Sequence, residues 1–236
     1  WEWRSSKNNK TYDLLETPLQ NRDGTISKMG IFRDITERKY IEAEIRLLQS
    51  ITQAISEAED FNSALKIVLQ KVCETTGWVF GETWMPSSDG THLECSSVWY
   101  SSSEGLNKFR INSEKFTFPP GVGLPGRAWT SKRLVWVEDI TKDTNFPRAA
   151  IAMEAGIRAG VAIPIMAEKE VVAVMDFFVF EPKTEDKRFI KLISSIAAQI
   201  GLFIQRKEAD NILAIQYSVV RVLAESAALK EATPKI

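Results

Sequence analysis

Cysteine and histidine are scarce in this chain of 236 residues, and their scarcity limits the chemistry it can perform. Its two cysteines, Cys73 and Cys95, are too few for a disulfide framework, and each stands among apolar neighbours. We expect free, buried thiols and a reducing, cytoplasmic setting. The single histidine, His92, has no cysteine or second histidine near it in sequence. We therefore predict no metal site, no catalytic residues and no enzyme activity in this segment.

Excess charge of one sign and long apolar runs are also missing. Thirty basic residues stand against 31 acidic ones, a net charge of −1, so no positive excess is available to neutralise phosphates. No run approaches the roughly 20 consecutive apolar residues of a spanning helix. We expect neither a nucleic-acid partner nor membrane contact from this segment. Apolar residues make up 44% of the chain, enough to build a globular core.

The first element is predicted to be a β-hairpin. Residues 12–17 and 26–35 form two strand-like runs around Asp23-Gly24, a pair that suits the positive φ angles of a tight turn. A sheet of two or three strands buries too little surface to stand alone. We therefore interpret residues 1–38 as the end of a domain whose beginning precedes the chain.

A helix is predicted from Thr36 onwards, with a narrow apolar stripe. Ile41, Ile45, Leu48 and Ile55 recur at steps of three, four or seven, the period of a coiled-coil seam. The stripe favours a parallel homodimer. The alternative is that it packs on its own domain.

The remaining pattern indicates helices and strands in an order typical of an α+β domain with one antiparallel sheet. Helices are predicted at 61–76, ending at Gly77, at 127–131, at 146–159 and from Thr184 onwards; strands are predicted at 78–85, 93–100, 134–137, 161–166 and 171–180. A rigid, glycine-punctuated loop is predicted at 119–126. The last helix carries its own stripe, which includes Ile196, Ile200 and Phe203.

An internal repeat is suggested near the C-terminus. An offset of 168 residues places Val219 on Ile51 and Leu223 on Ile55. We interpret residues 209–236 as a helix that begins a second copy of the same domain.

Two family resemblances give these elements a context. Residues 34–38, Asp-Ile-Thr-Glu-Arg after the hairpin, resemble the end of a PAS domain, and 39–60 would then be a linker or signalling helix. Residues 61–208 resemble a GAF domain of cyanobacterial-type multi-sensor histidine kinases. The motifs that carry this second resemblance are Thr76-Gly77-Trp78, Gly121-Val122-Gly123-Leu124-Pro125-Gly126-Arg127-Ala128-Trp129, Trp136 with Asp139, the run from Asn145 to Ala149, and Gly160 to Pro164. The implied fold is a GAF-like central antiparallel sheet with helices on both faces, flanked by long N- and C-terminal signalling helices.

The known GAF ligands are matched poorly by the residues present. The segment 139–160 contains neither the cysteine nor the histidine of a covalent bilin site. Residues 107–110 are only a misplaced fragment of the cyclic-nucleotide motif, and two separated cysteines do not reproduce the cluster of the methionine sulfoxide reductases. The cofactor is therefore unknown, and ATP would bind only in a kinase domain outside this chain.

A ligand pocket, if present, is predicted to be aromatic with a few polar groups. Its candidate walls are Trp84, Trp99, Phe118, Trp129, Trp136 and Phe177, and its candidate polar partners are Arg127, Asp139, Arg148, Arg158 and Asp176. The aromatic residues have core packing as their alternative role. Arg158 and Asp139 have a structural ion pair as theirs, and Asp176 either reaches a pocket or caps a backbone group.

The two resemblances therefore imply a sensory or regulatory segment of a sensor histidine kinase. A small-molecule or conformational signal would pass through paired helices, using Ile41, Ile45, Leu48, Ile55, Ile196, Ile200 and Phe203. The alternative from another class is a ligand-free dimerisation spacer.

Overall fold

The computed structural model describes residues 1–8 and 10–232, with the backbone alone for 217–232. The chain divides into two compact units, Trp1–Ser50 and Ile51–Ile236.

The first unit contains a three-stranded antiparallel sheet. Its strands are β1 (Glu2–Arg4), β2 (Thr11–Gln20) and β3 (Ile26–Asp34), in the order β1-β2-β3. Gly24 takes a φ of +83° in the turn of the β2–β3 hairpin, as the Asp-Gly signal predicts. Helix α1 (Thr36–Ser56) begins at the predicted residue. There the Asp34 carboxylate accepts from the Thr36 amide at 3.0 Å and from its hydroxyl at 2.6 Å.

The second unit is built on a six-stranded antiparallel sheet. The strands are β4 (Phe80–Pro86), β5 (Leu93–Ser101), β6 (Thr117–Phe118), β7 (Val135–Val137), β8 (Ala159–Ala167) and β9 (Glu170–Val179). Their order is β6-β5-β4-β9-β8-β7. Because successive side chains alternate between faces, Glu82 and Asp176 share what we call the front face, while Phe177 lies on the back face.

Helices cover both faces, which confirms the predicted α+β class. The helices are α2 (Phe61–Thr76), α3 (Asn107–Ser113), α4 (Gly123–Ser131), α5 (Ala149–Glu154) and α6 (Lys187–Ala232). Helix α2 ends where predicted, at Gly77, which has a φ of +78°. Leu124 of α4 reaches the front face beside Gly160.

The back face is packed closely against α2 and α6. Ile193, Ile196 and Ile200 of α6 are fully buried. A Cβ atom on Gly201 would lie 2.0 Å from the backbone oxygen of Met166, so only glycine permits this approach of α6 to β8. By length and composition alone, Lys187–Gln216 could cross a membrane, a test that the buried core helix of a globular domain also passes.

Several predicted boundaries are wrong. Helix α4 starts at Gly123, inside the predicted loop. The helix predicted at 146–159 covers only Ala149–Glu154, because Gly156 turns the chain with a φ of +77° and Ala159 already belongs to β8. Helix α3 and strand β6 were not predicted at all. The side chains of Val219 and Leu223, on which the internal repeat depends, lie outside the described residues.

Candidate functional site

Two carboxylates face each other at the centre of the front face. Glu82 of β4 and Asp176 of β9 are direct cross-strand partners, and both are fully buried. Such neighbours place their Cβ atoms about 4.5–5.5 Å apart, where two like charges repel each other. The sheet thus positions a pair of acids that requires either a cation or a proton.

Arg148 supplies the cation from a different part of the chain. It precedes α5, in the segment that connects β7 to β8, and its side chain is 1% exposed. Its Nη1 donates to Glu82 Oε1 and, at 2.9 Å, to the hydroxyl of Ser113. Its Nη2 donates to Asp176 Oδ2 at 3.2 Å. One guanidinium group therefore joins both strands and α3.

Aromatic rings enclose the guanidinium. Five ring centroids lie between 4.9 and 6.0 Å from its central carbon: those of Trp84, Phe109, Phe118, Phe146 and Phe178. The rings also pack on one another, with Trp84 and Phe118 edge to face at 4.7 Å. Ring faces attract a cation, and more strongly where water is excluded. We call Glu82, Ser113, Arg148, Asp176 and these five rings the front-face cluster.

The charges of this cluster are unequal, with two acids for one base. Burial, together with the nearby Glu82 carboxylate, raises the pKa of Asp176 well above its usual value, although the Arg148 guanidinium opposes this effect. Burial therefore favours the neutral form of Asp176, and the Arg148 guanidinium contacts both acids. One oxygen of each acid, Glu82 Oε2 and Asp176 Oδ1, has no hydrogen-bond partner among the described residues.

Four of the predicted site residues converge in this cluster: Trp84, Phe118, Arg148 and Asp176. Two others lie at its border. Trp99 is half-buried and stacks on Phe80 at 6.2 Å, and Trp129 of α4 packs against the same core from the side.

Trp136 and Phe177 lie on the back face instead. Both are register partners of Val161, and both approach the ring of Phe189 in α6, at 6.0 and 6.4 Å. Trp136 also donates its indole N–H to the Lys183 backbone oxygen at 2.8 Å. The structure therefore places these two residues against the long helix rather than beside Arg148.

The remaining polar candidates form ion pairs outside the cluster. Arg127 donates to Asp143 at 2.5 Å, and Arg158 donates to Asp139 at 3.3 Å. The Thr141 hydroxyl, with the Arg158 guanidinium as a further donor, lowers the pKa of Asp139 to about 2. The Arg158–Asp139 contact is thus the structural ion pair weighed as an alternative.

The two thiols are poor nucleophiles. Burial raises the pKa of Cys73 to about 12, and burial with the Glu82 carboxylate nearby raises that of Cys95 to about 12. Within residues 1–8 and 10–216, no group of three or more His, Cys, Asp or Glu side chains could hold a metal ion.

Sequence reasoning missed Glu82, Ser113 and three of the rings. A signal for Glu82 existed, since it is the lone acid in the aromatic run 78–85, as Asp176 is in 171–180. Ser113 and Phe109 lie on α3, which the sequence did not predict.

The geometry and the comparisons with known proteins agree on the class of domain. The family model described as GAF domain matches residues 58–205, so the chain belongs to the GAF domain family. The GAF domain of a phosphoenolpyruvate-protein phosphotransferase from Coxiella burnetii superposes with a TM-score of 0.60 at 17% identity, covering 72% of this chain and 98% of that one. A free methionine-R-sulfoxide reductase from Neisseria meningitidis gives 0.58 at 16%, covering 71% and 93%. These identities establish the fold alone.

Two curated relatives are plant proteins. "Truncated basic helix-loop-helix protein A" of Pisum sativum is 27% identical over 200 residues, 79% of this chain and 51% of that protein. "Transcription factor TT8" of Arabidopsis thaliana is 29% identical over 192 residues, 77% of this chain and 34% of that protein. The chain thus spans about half the length of the first relative and a smaller share of the second. GAF domains are in general sensory and non-catalytic, so membership implies a sensory or regulatory role.

Proposed function

We propose that this chain is a regulatory segment of a larger signalling protein, which passes a conformational state from the GAF sheet to its neighbours through helices. The observation that supports this most is the continuity of α6. One helix of 46 residues both forms part of the GAF core and continues beyond it.

Helix α6 has the properties of a rigid connector. Its length is about 69 Å at 1.5 Å per residue. Ile196, Ile200 and the glycine contact at Gly201 fix its first part to β8. Further along, Ile212 and Leu213 are 56% and 62% exposed, which is unusual for apolar side chains on a helix without a partner. A movement of the sheet would therefore be carried along the helix to this apolar stretch.

A second copy of the chain is the partner that we propose for this helix. Leu202, 54% exposed, stands between two grooves of α6. The larger, of about 490 Å³, is lined by residues that include Lys132, Ile163 and Met166, and the smaller, of about 170 Å³, by residues that include Thr52 and Ile55. A protruding leucine beside a groove on the same surface suits a two-fold contact, in which each copy fills the groove of the other.

Six of the seven predicted relay residues divide into two groups, and the seventh, Leu48, is intermediate in burial. Ile41 and Ile45 of α1 are about half exposed and can meet a partner. Ile55, Ile196, Ile200 and Phe203 are buried within their own unit. We propose that the buried group couples the helices to the sheet and that the exposed group contacts the second copy.

The host protein that we propose is a cytoplasmic sensor histidine kinase, with its catalytic and ATP-binding domain outside this segment and a PAS domain before it. The resemblance of residues 34–38 and of the GAF motifs supports this proposal. The plant relatives carry the names of transcription regulators, a different host. They support the broader proposal that such modules serve in regulatory proteins of more than one kind.

A ligand-free dimerisation spacer is the second candidate. The filled front face favours it, because Arg148 and its rings occupy the space where a ligand would otherwise lie.

Analytical ultracentrifugation of the purified segment tests the proposed dimer. We expect a dimer that weakens with Ile212→Asp and with Ile45→Asp, since each change places a charge in an apolar contact. Asn211→Asp adds the same charge one position away, on a polar residue of α6, and should leave association unchanged. A monomer at all accessible concentrations, or equal effects of Ile212→Asp and Asn211→Asp, would refute the helical pairing.

A further inference from the structure

The front-face cluster has the construction of a binding site, although its occupant belongs to the chain itself. Both acids come from adjacent strands of one sheet, so the backbone register positions them regardless of Arg148. Arg148 enters from the segment between β7 and β8. The site and its occupant therefore come from separate elements.

We propose that Glu82, Asp176 and the surrounding rings form a binding site for a small molecule with a guanidinium group, and that Arg148 is the tethered occupant which such a ligand displaces. This inference rests on the proposed regulatory function and names the class of ligand that would act through it.

The chemistry of the site selects for a planar cation. Glu82 and Asp176 accept from different nitrogens of the same guanidinium, an arrangement that matches its fixed fork of donors. Five rings surround the cation at 4.9 to 6.0 Å. Glu82 Oε2 and Asp176 Oδ1, both buried, make no hydrogen bond to Arg148 or to any other described residue. A ligand with more N–H donors than Arg148 directs at the acids could satisfy them.

The same features reject other ligand classes. An anion would meet the Glu82 carboxylate in a site that excludes water, a contact that costs far more than it does at the surface. A neutral ligand of the same shape would leave that carboxylate buried without a counter-charge. The site therefore discriminates by charge first and by the planar shape of the group second.

Release of Arg148 would begin with a movement of α5 and its flanking loops, since Arg148 directly precedes this helix. Helix α5 has six residues, bounded by Pro147 and by Gly156. The strands of the sheet would keep their pairing. Ligand binding would thus change the segment over the front face, where Lys108 of α3 also pairs with Glu154 of α5 at 2.5 Å.

The test is chemical rescue of Arg148→Ala with N-ethylguanidinium, which consists of the atoms that the substitution removes. We expect thermal unfolding of the variant to shift upward with a saturable dependence on N-ethylguanidinium. Neutral N-ethylurea, nearly identical in shape, should bind about tenfold more weakly or worse, because hydrogen bonds to charged groups are roughly twice as strong. In Arg148→Ala with Glu82→Gln the rescue should be lost.

Refolding provides the same comparison if Arg148→Ala is insoluble. The variant is diluted from urea with N-ethylguanidinium or with N-ethylurea, and the yields of soluble protein are compared. A higher yield with the cation alone supports the site. Equal yields, or a rescue that persists in the Glu82→Gln background, would overturn it.

Displacement is measured on the unaltered protein by amide hydrogen exchange. N-ethylguanidinium at concentrations that saturate Arg148→Ala should increase exchange in 149–156 and leave the core of β9 protected. Unchanged exchange in 149–156 would overturn the displacement. Failure of the proposed dimer would appear in ultracentrifugation alone, whereas failure of this inference would appear in the rescue and exchange data.

Discussion

Replacement of Arg148 by methionine is the most direct test of how the front-face cluster is held together. Methionine keeps much of the length and all of the apolar character of the stem but removes the cation. Among the described side chains, Glu82 then keeps the Trp84 indole N–H, 3.3 Å away, as a hydrogen-bond donor, and it is fully buried. Asp176 and Ser113 each lose the donor that Arg148 gave them.

The expected cost follows from this arrangement. Removing one partner of a buried ion pair typically destabilises a protein by about 3–5 kcal/mol, because the other charge stays buried and uncompensated. The full burial of both partners, at 1% and 0% exposure, places Arg148→Met in this range. The effect of Glu82→Gln on the free energy of unfolding should then have opposite signs in the two backgrounds. It destabilises the unaltered protein but stabilises Arg148→Met, since it removes the orphaned charge.

Urea unfolding followed by tryptophan fluorescence measures these differences. Lys108→Met is the matched control, because Lys108 pairs with Glu154 of α5 but is 72% exposed. It should cost less than about 1 kcal/mol, as exposed ion pairs do. A loss for Arg148→Met no greater than that of the control, or a Glu82→Gln effect with the same sign in both backgrounds, would refute the reasoning.

Three further substitutions or reactions test other parts of the structure. Gly201→Ala should lower the free energy of unfolding by about 1–3 kcal/mol in the same urea assay, because its methyl group would collide with the Met166 backbone oxygen. Gly105→Ala is the control and should cost little, because the nearest atom to its methyl group would be 3.7 Å away. Equal losses for the two variants would contradict the packing of α6 on β8. Asp176 has a raised pKa when folded, so stability should fall as pH rises from about 4, the pKa of an unfolded aspartate, towards the folded value. Asp176→Asn should flatten that decrease across a pH series of unfolding curves, and an unchanged slope would show that another group causes it. Cys73, with its pKa raised to about 12, should react with iodoacetamide far more slowly in the folded protein than in urea, and rapid native labelling would contradict its burial.

The sequence predicted local structure well where a turn or cap has its own chemical signal. Asp23-Gly24 located the first hairpin, and Gly77 located the end of α2. Prediction failed where the signal depends on contacts between distant segments. The apolar run 146–159 has a helical composition, but Gly156 and the pairing of Ala159 with Val179 end the helix early. Strand β6, of two residues, exists only because Leu93 and Glu94 pair with it.

The site was predicted in part, for a reason that concerns sheet register. A strand alone indicates that alternate residues share a face, but it does not indicate which face meets which helix. Trp136 and Phe177 were grouped with Trp84 because all three are aromatic. The register places Trp136 and Phe177 on the back face and Trp84 on the front face. Asp176 was recognised because an acid in an apolar strand is unusual. Its cross-strand partner Glu82 could be found only from the pairing of β4 with β9.

The position of Asp176 in β9 links the front-face cluster to the long helix by the shortest route a sheet offers. Asp176 faces Arg148, and the next residue, Phe177, faces the other way onto Phe189 of α6. Because the interior is packed at close to crystalline density, a rotation of β9 that accommodates a change at Asp176 also moves Phe177 against Phe189. Phe189 belongs to the first turn of α6, and Gly201 holds the helix to β8 further along. A change in the occupant of the front face would therefore tilt α6 about a fixed contact, which is the movement that a connecting helix can pass to its neighbours.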